Sequence, residues 1–192
     1  MRATILCLLV LVGPLGAVEF EVQFGALERL LGQQVFTQDG RKYVRGNQKT
    51  RCNFAYLEHP QVRGGQGRLQ IRARFTGRSA VNMFGQCVGL GDAFDVLVEA
   101  RPEYRDGNLG LADVAVTSPG KAGFYIRRVC TALAASLGRE FRYPLAAQAR
   151  KVLEDPGAQP DYRRELRNFR VSAIGVTGDA LVLTVDFELT VK

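Results

Sequence analysis

The sequence predicts an α+β fold: a long, curved antiparallel β-sheet wrapped around a long helix in the C-terminal half. Three observations lead there. Residues 68–75, 94–100 and 181–191 alternate apolar and polar side chains with the period of two that a half-buried strand requires. Ile126, Val129, Cys130, Leu133, Leu137 and Phe141 fall on one helical stripe. The turn signals between strands are short (Gly64-Gly65-Gln66-Gly67, Tyr104-Arg105-Asp106-Gly107-Asn108, Thr177-Gly178-Asp179), as in an antiparallel meander.

The N-terminus sets the compartment. Met1-Arg2 is followed by the apolar run Ile5 to Val12, then Gly13-Pro14 and the small-residue end Leu15-Gly16-Ala17. This is the grammar of a secretory signal peptide over residues 1–17, with cleavage near Ala17, and the run is too short to span a bilayer comfortably. The expected product is an exported protein, periplasmic or secreted, with residues 18–192 forming one domain.

Within that domain, Val22, Leu27, Leu30, Leu31 and Val35 have helical spacing and predict a short amphipathic helix over residues 22–36. Residues 37–50 are polar and read as a loop or a weak edge hairpin. A first strand runs from Cys52 to Arg63, interrupted at His59-Pro60, as at an edge or a bulge. The strand Arg68 to Phe75 puts Leu69, Ile71, Ala73 and Phe75 on one face and Arg68, Arg72 and Arg74 on the other. Residues 85–91 read as a glycine-rich turn around Cys87. Phe94, Val96, Val98 and Ala100 then continue the alternation to Arg101-Pro102, and Leu109 to Ser118 gives a fourth short strand. Pro119-Gly120 separates these strands from the long helix, which Pro144 must kink or end. Ala146 to Leu153 is a second helical piece closed by Asp155-Pro156-Gly157. Asp161 to Arg170, rich in Arg, reads as a polar helix or connection. A final hairpin pairs residues 171–176 with Leu181, Leu183, Val185, Phe187, Leu189 and Val191, a strand spanning about 40 Å.

At 192 residues the chain has room for one domain, and 46% apolar with 23% charged residues excludes disorder. The formal charge of +7 becomes +6 once Arg2 leaves with the signal. Three cysteines remain, Cys52, Cys87 and Cys130, an odd count that suggests one disulfide and one spare thiol. Strand directions favour Cys52 with Cys87. The helix begins at the same end of the sheet and keeps Cys130 in play as a partner, and all three would equally suit small buried apolar sites.

The order of elements resembles that of single-unit TULIP (tubular lipid-binding) proteins, and most of all small exported bacterial proteins with one such unit. The resemblance rests on Gly67-Arg68-Leu69-Gln70-Ile71, Val96 to Tyr104, Gly107-Asn108-Leu109-Gly110-Leu111, the helix from Val129 to Phe141, and Gly178 to Leu183, and covers roughly residues 50–192. It implies a sheet curved round a helix with a groove for an acyl chain or another apolar ligand.

No residue pattern points to catalysis. His59 has no Ser, Cys or carboxylate motif around it and reads as a surface or structural residue. Asp92, Asp95, Glu99, Asp106 and Asp113 are scattered over turns and exposed faces. Gly85, Gly89 and Gly91 lack the Lys-Ser/Thr of a phosphate loop. One His and dispersed Cys argue against a metal centre, so neither metal nor cofactor is expected.

Two Arg groups stand out. Arg68, Arg72 and Arg74 share a strand face, flanked by Arg63 and Arg78, while Arg163, Arg164, Arg167 and Arg170 recur at helical spacing. They read either as solvated faces or as contacts for anionic headgroups at a membrane surface. Nucleic acid is not expected, because export separates the two and no aromatic-basic platform is present.

The expected function is non-enzymatic binding or carriage of a lipid or other apolar ligand in the cell envelope. Its groove would be lined by Leu69, Ile71, Phe75, Phe94, Val96, Val98, Leu183, Val185 and Phe187 from the sheet and Ile126, Val129, Leu133 and Leu137 from the helix, with Arg68, Arg72, Arg74, Arg163, Arg164 and Arg167 as anion contacts. The alternative is an envelope interaction module in which the same apolar residues form a closed core.

Overall fold

The computed structural model describes residues 17–155 and 163–192. The elements in order are β1 (Val18–Gln23), α1 (Phe24–Gln34), β2 (Arg41–Arg45), β3 (Asn53–Gly65), β4 (Arg68–Met83), β5 (Gln86–Arg105), β6 (Asn108–Thr117), α2 (Phe124–Glu140), β7 (Arg142–Tyr143), α3 (Leu145–Leu153), β8 (Arg164–Val176) and β9 (Ala180–Val191). The fold is α+β, dominated by a strongly curled antiparallel half-barrel. Six strands pair in the order β2-β3-β4-β5-β6-β7, and three more in the order β1-β9-β8.

The meander strands are long rather than short. β4 and β5 pair without a break from Leu69↔Ala100 to Met83↔Gln86. The residues read as a glycine-rich turn belong to this hairpin, and its reversal occupies only Phe84-Gly85. Gly89 lies in the strand because a β-carbon there would stand 2.3 Å from the Ser79 carbonyl oxygen. A close backbone approach, not a turn, explains that glycine. Pro102 sits inside β5 opposite Leu111, beyond the last β4 pairing, where its missing N–H has no ladder to break. The expected interruption at His59-Pro60 is a bulge, with the β3–β4 register shifting between Glu58 and Gln61.

Two further readings are corrected, and for residues 37–50 the edge-strand alternative holds. Val18, Phe20 and Val22 alternate with Glu19, Glu21 and Gln23 and form β1 along β9, so the first helix starts at Phe24 and not at residue 22. Residues 41–45 form a paired edge strand within the polar stretch. Residues 164–170 are strand, not helix, because the long β9 offers a free edge and Arg164 to Arg167 pair with Val191 to Glu188, burying Leu166. Tertiary pairing thus overrides the local Arg spacing. Residues 1–16, nearly all of the segment expected to be a signal peptide (1–17), lie outside the described residues, as do Pro156-Gly157 and Asp161.

Two apolar clusters hold the fold. One joins the six-stranded sheet to α1 and α2 through Phe24, Leu31, Phe75, Phe94, Val96, Cys130 and Leu133. The other joins Leu181, Leu183 and Val185 of β9 to Leu109, and Val176 packs against both clusters. Val96, Leu181 and Val185 are almost fully buried, and burial of each such side chain contributes about 2 kcal/mol. α2 rests on β6 and buries Cys130 and Leu133, leaving Phe124 and Tyr125 exposed.

Candidate apolar binding site

A cleft of about 360 Å³ opens where the C-terminal end of α2 meets α1, β9 and the β7–α3 corner. Its apolar wall comes from Leu27, Leu30 and Leu31 of α1, Leu181 and Leu183 of β9, and Leu137 and Phe141 at the end of α2. The corner follows from sequence. Pro144 lacks the N–H that helix continuation needs, so α2 stops at Glu140, the chain pairs briefly as β7 with β6, and α3 begins after the proline. The exposed Gln34, Glu140 and Arg142 mark the solvent side. The volume and apolar lining match the small end of ligand pockets, which run from about 300 to 1,000 Å³.

A second cleft, about 300 Å³, lies further toward the N-terminus of α2. Tyr125, Val129 and Leu133 face Val44, Phe54 and Phe75 across it, with Arg45 and Arg78 on its wall. The Phe75 ring stacks obliquely on Phe94, with centroids 4.9 Å apart, and so fixes the floor. Val44 and Ser136 line both clefts. Together the clefts follow α2 from Tyr125 to Phe141, about 24 Å at 1.5 Å per helical residue.

Of the groove residues expected from sequence, Phe75, Val129, Leu133, Leu137 and Leu183 line these clefts. Leu69, Phe94, Val96, Val98 and Val185 do not; they are buried in the core, because their strand faces are covered by neighbouring elements. Ile71 and Ile126 are partly buried against the first cluster and Phe187 against the second. The contribution of α1 was not legible as a site. Its Leu27-Leu30-Leu31 stripe signalled an amphipathic helix, but only the chain's return through β9 places that stripe opposite α2.

The expected anion contacts divide. Arg74 is paired with Asp95 at 3.0 Å and Arg167 with Glu165 at 2.8 Å. Arg68 donates to the Asp113 carbonyl and Arg164 donates to the Asp155 carbonyl at 3.4 Å. Arg72 lies beside Arg74 and His59 in a shallow surface cleft, and Arg163 exchanges backbone hydrogen bonds with Lys192. Pairing with neighbours occupies four of the six side chains, whereas Arg45 and Arg78 at the second cleft form no ion pair among the described residues.

Cys52 and Cys87 form a disulfide, with Cα atoms 5.2 Å apart, while Cys130 is free and buried. Burial pushes the Cys130 thiol pKa up, which keeps it protonated and unreactive. His59 sits on the exposed β3 bulge at φ 54°. Among the described residues no cluster of His, Cys, Asp and Glu could hold a metal ion, and no helix is long and apolar enough to cross a membrane. No protein-family model, curated protein or solved structure matches the chain.

Proposed function

We propose that this chain is a non-enzymatic, exported binder or carrier of a lipid or other apolar ligand, acting in the cell envelope as a single TULIP-like unit whose sheet wraps α2. The observation that carries the reading is a pair of apolar-lined clefts that share Val44 and Ser136 and follow one another along the same helix. An acyl chain laid there gains about 0.8 kcal/mol per methylene removed from water. Arg45 and Arg78, in no ion pair among the described residues, take the role of headgroup contacts. The Cys52–Cys87 disulfide supports export, because such bonds persist in oxidising compartments.

The second reading, an envelope interaction module with a closed core and no ligand, is favoured by the burial of Leu69, Phe94, Val96, Val98 and Val185. Native mass spectrometry with solvent extraction of the purified protein separates the two. Near one lipid per chain is the result expected of a carrier. A protein that is empty as isolated and takes up none of a panel of phospholipids and fatty acids overturns it.

A further inference from the structure

The β4–β5 hairpin runs well past the core, and the core-facing side of the sheet continues onto it with none of the described residues covering it. Because the β4–β5 register is unbroken, Val81, Met83, Val88 and Leu90 lie on the same face as buried Phe75 and Phe94. Beyond Gly77 that face is bare: Val81 is 66% exposed, Met83 50%, Val88 54% and Leu90 78%. Phe84, at the tip, is wholly exposed. From Ser79 to Gly91 the chain carries no charged side chain.

Two features argue against an accidental patch. The Phe84-Gly85 turn has φ of 50° and 82°, a geometry in which Asn or Asp is favoured at the first position. A bulky aromatic held in the left-handed region is a backbone outlier, and such strain concentrates at functional positions. Cys87 lies on the opposite face of the hairpin and ties it to Cys52 before β3, so the hairpin is anchored from the side away from its apolar face.

The base of the hairpin is cationic. Arg45 and Arg78 share a cleft with Ser79 and Tyr125, Arg51 adjoins the disulfide, and Arg127 and Arg128 flank exposed Phe124 on the first turns of α2. None of these five Arg residues is in an ion pair among the described residues. An uncharged apolar finger above unpaired Arg and aromatic side chains is complementary to a bilayer whose acyl region lies beneath anionic headgroups. We infer that the β4–β5 hairpin docks this protein on anionic lipid bilayers, with Phe84 inserted at the acyl boundary and the Arg collar on the phosphates. The hairpin projects about 17 Å from Ser79 to Phe84, enough to place its tip at the 5–10 Å depth of interfacial insertion. The inference stands whether or not the α2 groove carries a ligand.

The chain has no Trp, so a single substitution makes a depth probe. The full disulfide-bonded protein carrying Phe84→Trp is mixed with phosphatidylcholine/phosphatidylglycerol vesicles, with and without brominated acyl chains. The expected result is a blue shift and quenching by bromine, both weakened by added salt. Val152→Trp on α3, which joins the opposite end of the sheet through Ala146 and Gly107, should show neither. Phe84→Asp should bind the vesicles about tenfold or more weakly in flotation. Emission from the Phe84→Trp variant that stays water-like and unquenched overturns the inference, even if the protein floats. So does a blue shift without vesicles accompanied by dimerisation in sedimentation, which would identify the occupant as a second copy.

Discussion

Gly64 lies against the backbone carbonyl of Thr177, so close that a β-carbon at residue 64 would stand 1.9 Å from that oxygen. The same β-carbon would meet the Phe24 ring and Val176 at 2.9 Å. Gly64 belongs to the six-stranded sheet and Thr177 to the β8–β9 turn, so this contact fixes how the two sheets meet. Gly64→Ala is expected to cost about 3 kcal/mol, because backbone rather than a flexible side chain must move. Gly178→Ala, in open space, should cost far less. Urea denaturation of the two variants checks the difference; equal midpoints would refute this view of the sheet contact.

Pairing of β2 with β3 ends at Glu58, before the bulge, so the outer edge of β3 is open at Val62. Glu28 of α1 satisfies the Val62 N–H there at 2.7 Å. Glu154 serves Leu166 of the edge strand β8 in the same way at 2.9 Å. A carboxylate on α1 and another at the C-cap of α3 thereby each satisfy one open edge N–H. Glu28→Ala should destabilise by about 1–3 kcal/mol, while Glu28→Gln, which keeps an acceptor oxygen, should lose less. Chemical denaturation gives the order; wild-type stability in the Ala variant would remove this role.

The disulfide joins residues separated by 35 in sequence, so Cys52→Ser should cost about 4 kcal/mol through the freed denatured chain. Urea midpoints of the variant and the wild type measure that loss. Cys130, on the buried face of α2, should react with a thiol reagent only as the protein unfolds. Mass spectrometry after timed labelling follows the reaction. Rapid modification of Cys130 in the native protein would contradict the packing of α2.

Acid should weaken the fold through two partly exposed carboxylates. Lys121, with help from the Ala93 N–H, holds the Asp92 carboxyl below its usual value, and Lys192 with Arg167 does the same for Glu165. Both folded pKa values lie below the unfolded ones, so this stabilisation is present above about pH 4 and fades as pH falls further. Each effect is small because water screens it. In thermal melts from about pH 6 down to pH 2, Lys192→Met should flatten the acid decline slightly, and added salt should do likewise.

The elements carried by strict periodicity were legible. Leu69 to Phe75, Phe94 to Ala100, the 126–141 stripe and the C-terminal hairpin follow from which faces can be buried. The failures share a cause: pairing across long sequence distance. Val18 to Val22 alternates as plainly as any strand, but only β9, far along the chain, makes it one. Gly89 and Gly91 resemble a turn because glycine signals flexibility locally, while close strand approach is a tertiary fact. For the site, Leu133 and Leu137 were readable as a helical stripe. The opposing wall of α1 and Val44 was not, since it depends on where Pro144 and the β9 strand send the chain.

If the clefts along α2 hold one apolar ligand, titration of a fluorescent fatty acid into delipidated protein will show it. Saturation near one per chain is expected, with affinity reduced about tenfold or more in Leu137→Asp, which puts a charge on the apolar wall, and unchanged in Val152→Asp on exposed α3. Circular dichroism establishes that each variant is folded. Absence of saturable binding, or equal affinity in folded Leu137→Asp and wild type, would rule out the α2 clefts as a ligand site.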